Sequence, residues 1–262
     1  MSSIKKQILM KKQYLLLTVI IIFSSLFAYS QINSPIPASC QQAILVLTAS
    51  AESNTGTMYY FERNDSSSEW KTEMEAIPIA IGRNGLGWGS GLHSDNNPKG
   101  FPIKKEGDGK SPAGVFALSS IFGYKTAIEI GELKMPYLQL NEMVECIDDA
   151  KSIHYNTLVS NDTLKIDWES SEKMASMGIY YELGVTVDHN TNPVKNGAGS
   201  CIFIHNWAKP NGTTAGCTAM SPENMVKTAF WLDQTKKPIL IQLTKSRYSK
   251  LINTWALPDI LQ

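Results

Sequence analysis

The stretch CIFIHNWAKPNGTTAGCTAM at residues 201–220 places His205 twelve residues before Cys217. An imidazole that comes within about 3–4 Å of a thiol can take its proton and leave a thiolate, the nucleophile of acyl transfer. CIFIH reads as a compact apolar strand, so His205 should stand at its end, where a rigid scaffold displays reactive groups. Cys217 falls four residues before Ser221, a helix-capping residue, and the amides and positive helix end nearby would favour a thiolate. Gly216 leaves room for a substrate carbonyl, and the amides of Gly216 and Cys217 are candidates for an oxyanion hole. Spacing alone leaves a plainer reading equally open, with His205 a satisfied strand histidine and Cys217 a small buried hydrophobe.

A metal site has weaker support. HxxxH, HExxH and CxxC are absent, and His93, His154 and His189 stand apart in sequence, so only His189 and His205 are attractive as ligands the fold might assemble. GDGKS at 107–111 invites a phosphate-loop reading, but the pattern needs glycine where Lys104 stands, and Pro112 would sit badly in the following helix. No metal, nucleotide or other cofactor is therefore expected.

Tyr155, Asn156, His189 and Asn190 follow strand-like runs and are candidates to line a groove by hydrogen bonds to peptide amides, although ordinary turn chemistry also accounts for them. His189 is also a candidate to orient His205. Trp207 offers a flat contact to sugar or peptide, or is a core tryptophan. Asp148 and Asp149, being adjacent, read as a solvated turn rather than an acid/base pair.

These residues need a scaffold, and the chain reads as mainly β. Strand-like runs occur at 43–48 (AILVLT), 57–62 (TMYYFE), 76–82 (AIPIAIG), 114–119 (GVFALS), 179–188 (IYYELGVTVD), 201–207 (CIFIHNW) and 238–244 (PILIQLT). They alternate apolar and polar residues or are rich in Val, Ile, Tyr and Phe, as half-buried and core strands are. One helix stands out at 222–233: Ser221 caps it, Pro222 suits its first turn, Glu223 its positive end, and Met225, Val226, Ala229 and Phe230 form one face. The expectation is a mainly β, mixed β-sandwich-like domain with a few peripheral helices. From Gly82 to Gly114 the chain holds nine of its 18 glycines together with Pro98, Pro102 and Pro112. That composition predicts a long, turn-rich loop system edging a binding groove.

The ends and the composition bear on the compartment. Lys5, Lys6, Lys11 and Lys12 precede the end of YLLLTVIIIFSSLFA and the small-residue pattern Ala28-Tyr29-Ser30, the order of a secretory signal with cleavage after Ser30. The apolar run is short for a membrane span, so none is expected after cleavage. Removing residues 1–30 leaves 20 basic against 24 acidic residues, a net charge of −4, with no basic footprint for nucleic acid. Residues 31–262 then suit a single secreted domain. Export implies an oxidising compartment, in which Cys40, Cys146, Cys201 and Cys217 form two bridges or leave Cys217 free. A bridge from Cys201 to Cys40 or Cys146 would brace the strand of His205.

IFIHNW followed by TTAGCTAM resembles the signature of L,D-transpeptidases of the YkuD-like (ErfK/YbiS) family, in which a histidine precedes a Ser/Thr-x-Gly-Cys nucleophile motif. EGDGKSPAGVFAL at 106–118 is similar to that family's upstream segment, and CIDDAKSIHYN at 146–156 and VTVDHN at 185–190 match a subgroup. The resemblance covers most of 76–244. It implies that Cys217 is the nucleophile, His205 its base, Gly216 with Cys217 the oxyanion site, and Thr214 the family's Ser/Thr. It further implies action on bacterial cell-wall stem peptides in the periplasm or cell envelope, through a thioester passed to an amine or to water, with a thiol that carbapenems acylate. Transfer to an amine makes a transpeptidase and transfer to water an L,D-carboxypeptidase; a catalytically silent envelope-binding module is the alternative outside the enzymes. Two places depart from the pattern: Ala215 stands where many members carry His or Met, and Ala219 where many carry an arginine suited to a substrate carboxylate.

Overall fold

Residues 34–260, except Asp95 and Thr163, are described by the computed structural model, and the expected leader at 1–30 lies outside the described residues. In chain order the strands are β1 (Gln42–Thr48), β2 (Thr55–Glu62), β3 (Lys71–Ala80), β4 (Leu86–Trp88), β5 (Ser111–Gly123), β6 (Tyr137–Gln139), β7 (Val144–Cys146), β8 (Leu158–Ser160), β9 (Glu172–Lys173), β10 (Leu183–Val187), β11 (Phe203–Asn206), β12 (Thr218–Met220) and β13 (Ile239–Thr244). The main sheet runs β10, β11, β12, β3, β2, β1, β13, β5, and β10 also pairs with β5, so the sheet closes on itself around the core. The mainly β, sandwich-like expectation holds.

Burial explains which runs became strands. β1 and β13 are buried at every residue and pair in parallel, Ala43 with Ile239 through Thr48 with Thr244. A parallel pair covered on both faces reads as continuous apolar sequence, as AILVLT and ILIQLT do. β5 is the spine: its 13 residues pair with β13, β10, β4 and β6. It enters from the glycine-rich system, where Gly114 takes φ 143 and lies against the His93 ring, which an added Cβ would meet at 1.9 Å.

The sequence boundaries shift in two places near the site. The expected strand 201–207 contracts to β11 because Cys201 adopts φ 55, a left-handed conformation that breaks the pleat. The expected strand 179–188 divides: Tyr180 and Tyr181 end a 3-10 helix, Met174–Tyr181, and the strand proper begins at Leu183. The expected helix forms as Pro222–Trp231, with Ser221 Oγ accepting from Asn224 N. Its buried face is Met225, Thr228 and Ala229, whereas Val226 and Phe230 are 47% and 40% exposed. Thr228 takes the inward place instead, its Oγ1 lying 2.8 Å from the buried Tyr60 hydroxyl.

A second, small sheet of β8, β7 and β9 stands beside the main one. Glu145, at the centre of β7 and fully buried, accepts from Ser171 Oγ at 2.6 Å and Trp168 Nε1 at 3.2 Å, and from Asn161 and Lys173. Cys146, at the end of β7, is bonded to Cys201 across 55 residues of sequence, and Cys40 and Cys217 stay as thiols. Their surroundings form a second apolar cluster, with Phe122, Tyr181, Phe203 and Cys217 packed around the bridge. Replacing both Cys146 and Cys201 by Ser should lower stability by about 4 kcal/mol on chain-entropy grounds for a loop of this length. The measurement is the urea midpoint of oxidised wild type against the double variant.

Candidate active site

β11 and β12 run parallel, with Ile204 opposite Thr218 and His205 opposite Ala219. One step back along this register Cys217 lies level with Phe203, whose N–H donates to Cys217 Sγ at 3.3 Å. Residues two apart on a strand share a face, so Cys217 and His205 are diagonal neighbours on one face of adjacent strands, about 7–8 Å apart at the backbone. Both line a cavity of about 200 Å³ with Glu172, Tyr180, Tyr181 and Thr214. Parallel register thus answers the question that twelve residues of spacing left open.

His205 Nδ1 lies 2.7 Å from the Asn206 carbonyl. A carbonyl only accepts, so Nδ1 carries the proton and Nε2 keeps the lone pair a base needs. Tyr180 and Tyr181 meet the imidazole edge to face at 5.9 and 5.5 Å and fix its plane. Burial lowers its pKa to about 4, so the ring is neutral at physiological pH.

The thiol moves the opposite way. Burial is the main cause that pushes Cys217 up, the Glu172 carboxylate adds to it, and the Phe203 N–H and Lys104 ammonium only partly oppose them. Its sulfur faces the Cys201 carbonyl at 3.5 Å. The thiolate expected from a nearby helix end is therefore corrected to a neutral thiol beside a neutral imidazole. β12 intervenes between Cys217 and helix Pro222–Trp231, and a helix end acts only over its first turn.

The nucleophile turn is braced from below. Thr214 Oγ1 and Ser111 Oγ donate to the Cys217 carbonyl at 2.7 and 2.9 Å, and Gly216 N–H donates to Thr214 Oγ1 at 3.1 Å. That commitment removes Gly216 N–H from the expected oxyanion pair and leaves the Cys217 N–H for the role.

A wider cavity of about 470 Å³ opens on the other side of Cys217, with Arg83, Lys104, Glu106 and Glu172 on its walls. Lys104 is buried, and its ammonium is held by Asp108 Oδ1 and the Lys105 carbonyl, each at 2.7 Å. Asp108 also accepts from Lys105 N and Lys110 N. GDGKS is thus a loop folded around its own aspartate.

The other expected groove residues sit elsewhere. Tyr155, Asn156, His189 and Asn190 line neither cavity. Tyr155 O–H donates to Glu106 and accepts from Gly199 N, and Asn156 donates to the His189 and Asn190 carbonyls and accepts from Cys201 N. Asn190 binds Lys195 and Gly199. These four hydrogen-bond the buried loop backbone around them, which must find partners there. His189 has Nδ1 on Ser90 N and Nε2 on the Ala198 carbonyl, so the orienting partner of His205 is the Asn206 carbonyl instead. Trp207 is buried against Ala80 and Ala219. Asp149 caps a turn through Lys151 N and Glu169 N.

Lys104, Glu172, Arg83 and the Tyr180–Tyr181 pair were not singled out by the sequence. Lys104 differs from Lys105 only in burial, and Glu172 lies in a polar run, ESSEK, that reads as solvated surface.

Compared with known families, residues 49–241 match the model of YkuD, the L,D-transpeptidase catalytic domain. No curated protein and no solved structure matches.

The neutral resting pair predicts how the free thiol reacts. Iodoacetamide should modify Cys217 slowly at about pH 6 and progressively faster above about pH 9, because the raised thiol stays protonated through neutrality. The check is the mass of the intact protein against time; a flat, fast rate in mild acid would reveal a thiolate–imidazolium pair and refute the neutral assignment.

Proposed function

The chain belongs to the YkuD family of L,D-transpeptidase catalytic domains, and we propose that it transfers peptidoglycan stem-peptide acyl groups through a thioester at Cys217. Domains of this family act on peptidoglycan peptides and occur in bacterial cell-envelope enzymes, and we place this chain in the periplasm or cell envelope. The observation that carries the reading is a free thiol and an imidazole with an unprotonated Nε2 on one face of β11 and β12, opening on one cavity.

The steps follow from those atoms. A bound stem peptide displaces water and brings the carbonyl of its third residue to Cys217 Sγ. His205 Nε2 takes the thiol proton as sulfur attacks, and the oxyanion gathers at the Cys217 N–H with the Lys104 ammonium adding positive potential. The imidazolium then gives its proton to the departing amine of the terminal D-residue, and the thioester remains.

Recognition of that residue's carboxylate falls to a different place from the family pattern. Ala219 is buried against Ala80 and Trp207 and opens on neither cavity. Arg83, exposed in the turn between β3 and β4, presents a guanidinium to the wider cavity, and a guanidinium matches a carboxylate in a bidentate pair.

Cys217→Ala should abolish D-alanine release from a tetrapeptide stem with the melting temperature unchanged, and His205→Ala should slow it by about 10²–10⁴-fold. A carbapenem should add its mass to the intact wild-type protein and leave Cys217→Ala unmodified. Full turnover by Cys217→Ala would sink the assignment.

A further inference from the structure

Glu172 is a carboxylate on the walls of both cavities that flank Cys217. It comes from β9, where it pairs with Cys146 of β7. Cys146 is in turn bonded to Cys201, two residues before β11 begins. The bridge and the strand pairing therefore hold this side chain over the nucleophile. Tyr181 O–H donates to Oε1, and among the described residues the carboxylate has no other hydrogen bond, so its second oxygen remains for a ligand.

This placement works against the first chemical step. A carboxylate facing Cys217 disfavours the thiolate, so its use must come later, when sulfur carries an acyl group and no charge. The smaller cavity specifies what arrives then. Tyr180, Tyr181 and Met177 offer aromatic and thioether surface, and Glu172 is its one carboxylate. An unbranched alkyl chain ending in a primary ammonium complements that surface, its methylenes against the rings and thioether and its cation on the carboxylate.

We propose that Glu172 binds the primary ammonium of an aliphatic acceptor and takes its proton, so that the thioester is resolved by that amine in preference to water. The inference rests on the acyl-transfer reading of Cys217. The ammonium gives one proton to the Glu172 carboxylate, and the freed lone pair forms a C–N bond at the thioester carbonyl as its π pair moves to oxygen. The new nitrogen gives a second proton to His205 Nε2. The C–S bond then breaks, sulfur leaves with the pair, and it takes that proton from the imidazolium. The products are an amide, a neutral Cys217 thiol and one proton released from Glu172 to solvent. Burial raises the Glu172 pKa to about 7, with Asp148 adding to the rise and Tyr181 O–H opposing it. The groups facing Glu172 are thus Tyr181, Asp148 and Cys217, while Lys173 turns to Glu145. A carboxyl poised near neutrality suits proton transfer at physiological pH.

The test compares wild type, Glu172→Gln and Glu172→Asp, each checked by thermal melting, on a tetrapeptide stem with n-butylamine as acceptor. Glu172→Gln should acylate faster, because the charge opposing the thiolate is gone, and its ratio of butylamide to hydrolysed product should fall about tenfold or more; Glu172→Asp should lie between. An unchanged ratio overturns the proposal. A second arm needs no turnover: n-butylammonium should slow iodoacetamide labelling of Cys217 in wild type and not in Glu172→Gln. Equal protection in both, or none in wild type, also overturns it. Protection without release of D-alanine by wild type would uphold the ammonium site and fail the acyl-transfer reading instead.

Discussion

The site depends on one constraint, the parallel register of β11 on β12. Parallel neighbours cannot be joined by a tight turn, and here the crossover is the loop from Trp207 to Cys217, near the short limit. A crossover this short leaves the nucleophile little freedom, because its end must reach β12 in step with Phe203. The ring of contacts from Ser111, Thr214 and Gly82 takes up what remains: Ser111 Oγ holds the Cys217 carbonyl and accepts from Gly82 N, and Gly82 bridges to Thr214. Any slip of one residue would turn Cys217 to the opposite face from His205.

Burial sets the chemistry that this geometry can do. Burial lowers the imidazole and raises the thiol, so neither group is charged until a substrate changes the surroundings. That has a use in an oxidising compartment. Thiolate, not thiol, attacks disulfides and meets oxidants, and the Cys146–Cys201 bridge lies in the same apolar cluster as Cys217. A resting thiolate there would exchange with its own brace. The neutral thiol keeps nucleophile and bridge compatible at close quarters.

Much of this was legible in the sequence, for physical reasons that particular residues make plain. AILVLT and PILIQLT announced buried strands because burial on both faces leaves few polar positions, and Gly-Cys after a histidine pointed to the thiol and imidazole that the fold brings onto one cavity. What was hidden depended on contacts between distant segments. Helical spacing put Val226 and Phe230 on the buried face, but the Tyr60 hydroxyl claims Thr228 instead. Asn156 and Asn190 are turn formers anywhere, and only the fold shows that their amides are spent on the loop around His189. Lys104 and Glu172 look like solvated charges until the loop and the strand that carry them are folded around the thiol.

The small sheet explains why Glu172 could not be read. Strands of three, three and two residues are too short to persist alone, and nothing in their pattern marks them as strands. They are ordered by side-chain and covalent ties, the buried Glu145 of β7 gathering Ser171, Trp168, Asn161 and Lys173 and the bridge at Cys146 reaching to Cys201. Because Cys201 supplies both that tie and the approach to β11, the same residue fixes the small sheet and the histidine strand. The half of the site that bears Glu172 is therefore positioned by long-range chemistry, whereas the half that bears His205 and Cys217 comes from one stretch of twenty residues, whose apolar run and Gly-Cys turn a sequence displays even though the register between its strands is set by the fold.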